Sequence, residues 1–241
     1  MAAFQPVRAF TTEDTAVTEE TQSGFRSTQS NTNGGGARVP DLRDMMCWHM
    51  ANKARIVSSR VSYKGPVFSV VTDEVIEPGG IRARRDTIRH SGSVVVLALD
   101  ERAKEPRVLL ERQYRHAAKD FLWELPAGRI DRGERELAAA KRELLEETGY
   151  TARNWKKILC FYASPGFLGE TMSIYLARGL RAGVAQPEAD EKIATRFFSL
   201  SAAVRMARGG SIRDAKTISG ILWLAGAPPG LRQGRGRAAG L

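Results

Sequence analysis

The chain has 241 residues, 42% of them hydrophobic, and a formal net charge of +10. That length holds one large domain or two small ones around a proper core, and its apolar runs, such as VVVLAL and ISGILWLAGA, are too short to cross a bilayer. Cys47 and Cys160 form neither a metal spacing nor a disulfide framework, so a reducing cytoplasm is the expected compartment.

The amino terminus has no charged stretch followed by a long apolar core, and no secretory leader is expected. The positive charge is scattered through the body, at Arg82, Arg84, Arg85, Arg89, Arg112, Arg115, Lys156 and Lys157, with one compact basic cluster in the RQGRGR tail. No helix-turn-helix, zinc-finger or aromatic-basic RNA signature accompanies it. A nucleic-acid partner is therefore not expected, whereas an anionic small molecule suits the charge.

Residues 1–45 are rich in Thr, Ser, Gln, Asn and Gly, a composition that cannot offset chain entropy by burial and predicts disorder. LRDMMCWHMANKARIV at 42–57 reads as a short helix with untidy apolar spacing. From residue 57 the chain turns β-rich, punctuated by Gly-Pro and Pro-Gly-Gly turn signals, so 46–88 reads as a β-rich arm. SGSVVVLALDE is nearly continuous in apolar residues and predicts a central strand. PRVLLERQYRHA is a further strand, and a helix follows at about 134–148, with Leu137, Ala140 and Leu144 on one face and Gly149 as its stop. WKKILCFYASPG, TMSIYLARGL and KIATRFFSL read as strands, and SAAVRMARGG and AKTISGILWLAG as helices. The pattern is that of a mixed α/β (α+β) domain over 89–226, with a disordered basic tail at 227–241.

The end of the 134–148 helix is built against local rules. Glu143, Glu146 and Glu147 crowd its last turn, where acids face the negative end of the helix dipole. Glu143 and Glu147 are also a like-charge pair four apart, which costs ~0.2–0.5 kcal/mol. The spacing puts all three carboxylates on one side of the helix end. Oxygen donors converging near the loop glycines Gly128 and Gly133 suit a hard divalent cation such as Mg²⁺ or Mn²⁺. The alternative is a solvated acidic face balanced by Lys141 and Arg142.

The complete spacing decides between them. Gly128, Glu134, Arg142, Glu143, Leu144, Glu146, Glu147, Gly149 and Tyr150 follow the order G-x5-E-x7-R-E-hydrophobic-x-E-E-x-G-hydrophobic. This resembles the Nudix box position for position, the aromatic Tyr150 being a mild departure from the usual aliphatic residue. The resemblance implies a mixed sheet sandwiched by helices and hydrolysis of a nucleoside diphosphate linked to another group. It implies Glu143 and Glu147 as principal metal ligands, Glu146 as an auxiliary one and the Ala127 carbonyl as another. Arg142 and Glu134 would pair to orient the glutamates. The flanks LLERQYRHAAKDFLWELPAG and FYASPGF, and GGSIRDAKTISGI near the carboxyl end, are similar to the ADP-ribose pyrophosphatase branch of that family.

That branch implies substrate contacts from Arg115, with Arg112, Arg85 and Arg89 as further candidates for phosphate oxygens. Pro165 would shape a loop beside the ribose or base. Trp123 and Pro126 read as packing and loop geometry, and His49, His90 and His116 show no ligand spacing. For the general base the resemblance points to a loop acid after the box, Glu188 or Glu191 in QPEADEK, the latter also a possible late metal ligand, with Glu170 a third option. It also implies a homodimer in which amino-terminal strands help build the partner's site. The expected activity is Mg²⁺-dependent hydrolysis of ADP-ribose or an ADP-sugar. The alternatives are another nucleoside diphosphate derivative, such as GDP-mannose or a dinucleotide, and a nucleotide-sensing regulator.

Overall fold

Val94, Val96 and Ala98 line one hydrophobic cluster, while Val95, Leu97 and Leu99 line another. Successive side chains of a strand point to opposite faces, so this single segment, buried at every position, separates two cores. It is strand β4 (Ser93–Asp100) of a computed structural model that describes residues 53–186, 192–228 and 231. The described residues fall within the unit His49–Leu241.

Three antiparallel strands precede it: β1 (Arg55–Lys64), β2 (Ser69–Ile76) and β3 (Arg82–Arg89). After it come β5 (Arg107–Arg115), β6 (Asp120–Glu124), β7 (Ala127–Arg129) and helix α1 (Glu136–Thr148). Then follow β8 (Tyr150–Thr151), β9 (Asn154–Ser164), β10 (Leu168–Arg178), β11 (Arg181–Ala182), β12 (Ala194–Ser199), α2 (Leu200–Arg208) and α3 (Ala215–Gly226). Among the described residues the large sheet runs β1-β2-β3-β10-β4-β5-β12, with β6 on β5, β7 on β4 and β9 on β10. Strand β10 lies parallel to β3 and β4 and the other pairings are antiparallel, so the sheet is mixed.

Helix α1 covers one face through Ala139, Ala140 and Leu144. Helices α2 and α3 cover the other through Leu200, Ala203, Ile221 and Leu224. The helix-sheet-helix sandwich expected from the sequence is present. Tyr150 belongs to the α1-side core, meeting Phe197 edge-on at 5.5 Å, which accounts for an aromatic residue at the last position of the box.

Two local readings need correction. Residues 55–57 of the expected 42–57 helix open β1, where Arg55 and Ile56 pair with β2 and the β-branched Ile56 and Val57 favour an extended backbone; most of the remainder lies outside the described residues. Leu137 is 38% exposed, because the buried face of α1 is that of Ala139, Ala140, Glu143, Leu144 and Glu147, and at 3.6 residues per turn Leu137 falls at its edge. The stretches 1–45 and 232–241, like His49, Glu188 and Glu191, lie outside the described residues. Among the described residues no helix is long and apolar enough to cross a membrane.

The turn after β4 is pinned by charge. Asp100, 2% exposed, accepts from Arg102 Nε at 2.8 Å and from Arg107. The bond from Arg102, with that from Arg107, holds its carboxyl down to about 2.

Candidate active site

Short strand β7 is the platform. It pairs with β4 so that Gly128 stands opposite Val94 and Ala127 opposite Val95, and the Ala127 amide donates to Glu147 Oε2 at 3.0 Å. A β-carbon on Gly128 would lie 2.0 Å from Glu143 Oε1, so glycine is required there by the close approach of a carboxylate. At the far end of α1, Gly149 adopts φ 72° and its amide closes on the Leu145 carbonyl, the left-handed stop that glycine favours. A β-carbon there would sit 2.6 Å from the Ala185 nitrogen, so the chain leaving β11 also passes against it. The Gln186 amide donates to the Glu146 carbonyl at 2.9 Å.

The acids of α1 have no basic residue in the last turn beside them, and no side chain caps the helix start. Arg142 compensates from within. Its guanidinium donates to Glu134 at 2.9 and 3.0 Å, to Glu143 at 2.7 Å, to Glu146 at 3.1 Å and to the Arg129 carbonyl at 3.1 Å. The bond from Arg142 holds the Glu134 carboxyl below its ordinary range, and Arg142, raised above its own ordinary value by Glu134 first, stays a cation.

Glu143, Glu146 and Glu147 line one side of a cavity of about 370 Å³, with Ala127, Gly128, Arg115, Arg129, Asp131, Arg142 and Val67 around the rest. Among the described residues no three acidic, cysteine or histidine side chains converge as a finished ion cage; Glu143 and Glu146 share Arg142 instead. The donor set nonetheless fits a hard divalent cation: three carboxylates at one helix end, the backbone of Ala127 beside them and the opening kept by Gly128.

Arg115 reaches this cavity because β5 alternates. Leu109, Glu111, Gln113 and Arg115 share a face, and Arg115 forks onto Glu124 of β6 with two bonds of 2.9 Å. Glu111 and Glu124 face each other across the two strands and are 0% and 1% exposed. Burial, then the charge of Glu124, pushes the Glu111 carboxyl up to about 8, against Arg115, Lys216 and a hydrogen bond with Glu147. Burial also acts against the Glu124 anion, but Arg115 and Lys216 outweigh it and lower that carboxyl. Glu111, Glu124 and Lys216 received no role from the sequence. The signal in the chain is Glu111 at the parity of Leu109 within a segment that reads as a strand; Glu124 lies in DFLWE, which does not read as one from the sequence.

The remaining sequence-derived residues lie elsewhere. Arg112 has the opposite parity and its guanidinium sits 5.2 Å from the Phe121 ring. Arg85 bonds Glu77 at 2.8 Å. Arg89 is 3.7 Å from Asp73 and lines a neighbouring cavity of about 700 Å³ with Lys64, Arg129 and Arg132. Pro165 lines a third cavity, of about 350 Å³, with Tyr162 and Phe167. Glu170 accepts from Ser93 Oγ at 2.5 Å and lies 3.5 Å from His90 Nδ1, and it does not line the acidic cavity.

Comparison with known proteins is consistent with this geometry. The NUDIX domain pattern matches residues 89–219. The chain is 36% identical over 183 residues to the ADP-ribose pyrophosphatase of Mycobacterium tuberculosis, covering 74% of this chain and 86% of that protein. It is 32% identical over 172 residues to the ADP-ribose pyrophosphatase of Bacillus subtilis, covering 70% and 91%. A crystal structure of an ADP compounds hydrolase superposes with a TM-score of 0.63 at 20% identity, over 72% of this chain and 95% of that one, and shares the fold. With its box carboxylates gathered on one cavity and these relatives covering most of its length, the chain belongs to the NUDIX family of hydrolases.

Proposed function

We propose that this chain hydrolyses the diphosphate bridge of ADP-ribose or a related ADP-sugar, water and ADP-ribose giving AMP and ribose 5-phosphate. The observation that carries the reading is the cavity in which Glu143, Glu146 and Glu147 face Arg115 and Arg129, acids for a metal and arginine forks for phosphate oxygens. The names of the two pyrophosphatase relatives supply the substrate class.

Glu143, Glu146 and Glu147 with the Ala127 carbonyl would hold Mg²⁺. When bound, the metal supplies charge neutralisation at the diphosphate and lowers the pKa of the attacking water. Arg142, fixed by Glu134, keeps Glu143 and Glu146 turned toward the cavity. Arg115 binds a phosphoryl oxygen and orients the bridge. Glu188 or Glu191 accepts the proton of the attacking water, and Glu191 is also a candidate ligand. Arg85, Arg89, Arg112 and Pro165 complete the substrate surroundings in a homodimer, the arm of one chain serving its partner; exposed Ile56, Val57, Val61 and Tyr63 on β1 support an arm that is covered by a second copy. The reducing cytoplasm is the proposed compartment.

The test is a panel of nucleoside diphosphate derivatives with Mg²⁺. AMP from ADP-ribose at a kcat/KM at least about ten-fold above the rest is expected. Preference for GDP-mannose, a dinucleotide or a nucleoside triphosphate overturns the substrate and leaves the family.

A further inference from the structure

We propose that Lys216, remote in sequence from the box, is a positioning residue that sets the Arg115 guanidinium at the mouth of the acidic cavity by acting through Glu124. The inference rests on the proposed role of Arg115 in holding the diphosphate.

The start of α3 is fastened to the strand-and-loop segment beside the cavity at two points, Thr217 to Leu125 and Lys216 to Glu124. Asp214 caps the helix, accepting from the Thr217 amide at 2.9 Å. Thr217 Oγ1, fully buried, accepts from the Leu125 amide at 2.8 Å and donates to Asp214 at 2.5 Å. Lys216 Nζ donates to Asp214 Oδ1 at 2.9 Å and to Glu124 Oε2. Two residues beyond Leu125, the Ala127 amide bonds Glu147. The helix start therefore grips the segment that carries both the Arg115 anchor and the backbone contact to a box glutamate.

Within this grip Lys216 has a separable task. Asp214 and Thr217 already satisfy the helix start and bind the loop without it. The ammonium goes further, to Glu124. Glu124 Oε2 accepts from both Arg115 Nη2 and Lys216 Nζ, while Oε1 accepts from Arg115 Nε. Glu124 is 1% exposed and Lys216 11%. A buried ion pair is a poor device for stability alone, since well-packed apolar residues of similar volume do as well or better. What it provides is direction. With Lys216 holding Oε2 from a second direction, Glu124 presents one fixed edge to the planar guanidinium, and Arg115 keeps one orientation toward the cavity. Without Lys216, Glu124 keeps a single cationic partner and the carboxylate is free to turn with it.

The test uses the full chain with Lys216→Gln, and Lys216→Met should the first not fold. The Arg115 Nε–H resonance, assigned by its loss in Arg115→Lys, is followed by hydrogen exchange without any substrate. Exchange at least about ten-fold faster in the Lys216 variants is expected, and unchanged exchange in a folded variant overturns the proposal. With ADP-ribose and Mg²⁺, Lys216→Gln is expected to raise KM about ten-fold with kcat within about two-fold, as loss of uniform binding does. Lys216→Arg should restore much of that loss. In an Arg115→Met background the Lys216 change should add nothing to KM; a full additional increase means that Lys216 acts elsewhere and overturns the proposal. If the unaltered protein does not turn over ADP-ribose, the substrate reading fails, while the exchange measurement still decides the role of Lys216.

Discussion

Gly128 shows how little room the acidic cavity leaves for variation at single atoms. A β-carbon there would lie 2.0 Å from Glu143 Oε1, so Gly128→Ala must displace the carboxylate or the strand. We expect that variant to lose at least about a hundred-fold in kcat/KM, as misplacing a catalytic group by about an ångström does, while its circular dichroism stays that of the parent. Glu147→Gln, which keeps shape and removes charge, is expected to lower kcat by about a hundred-fold or more; unchanged turnover would remove metal chemistry from the box. A different residue governs acid stability. Asp100 has a folded-state value of about 2, against 3.8 ordinarily. A depressed carboxylate contributes its stability above its unfolded value and loses it as pH falls through the folded one, so the contribution, roughly 2 kcal/mol, fades between about pH 4 and pH 2. Chemical denaturation of wild type and Asp100→Asn across that range should show the two curves converging. At this scale the box acids were legible because their spacing is a pattern in the chain itself. Glu111, Glu124 and Lys216 were not, because their meaning comes from cross-strand and helix-to-loop neighbours about 13 to 105 residues apart in sequence, a distance that local rules do not see.

Helix α1 carries the cost of the site as an element. Its last turn holds Glu143, Glu146 and Glu147 without a neighbouring cation from that turn, so a bound divalent ion should stabilise the whole fold by mass action. At about a hundred-fold excess over Kd the gain is about 2.7 kcal/mol. Calorimetry should show Tm rising with Mg²⁺, reversing with chelator and blunted in Glu147→Gln; a Tm indifferent to the ion would count against the metal. The elements themselves were read well where burial is one-sided or complete. VVVLAL was recognisable as a central strand because eight residues from 93 to 100 are all buried. The arm was harder. Residues 55–57 read as the end of a helix, although every residue of β1 is exposed in the single chain; neither a core face nor a helical period was there to guide the reading. Leu137 misled for the reverse reason, an apolar residue three before Ala140 but at the edge of the face that α1 buries.

For the whole molecule, exposed β1 is where the proposed homodimer is put to the test. Ile56, Val61 and Tyr63 are 55%, 58% and 52% exposed on that strand, and a long exposed edge is a ready surface for pairing. Sedimentation of the purified protein should give a dimer, and Val61→Lys should shift it toward monomer with a rise in KM. A monomer of full activity would sink the shared-site reading. The charge of +10 is a property of this scale too: its cations are spread over several strands, with Arg85, Arg102, Arg107 and Arg115 each committed to an acid.

The alternation in β4 has a consequence for how such a chain can vary through descent. Val94, Val96 and Ala98 sit beneath the α1 side, where Ala139 and Ala140 press close, while Val95, Leu97 and Leu99 fill the broader layer under α2 and α3. Inserting or deleting a single codon within 93–98 exchanges the two sets downstream of the change. Leucines would then be driven against the alanines of the box helix. Substitutions on either face can be repaired by a neighbour, but a length change in this strand strikes both cores and the acidic cavity at once. Viable lineages should therefore carry their insertions and deletions in the connections, and keep the length of this one strand intact.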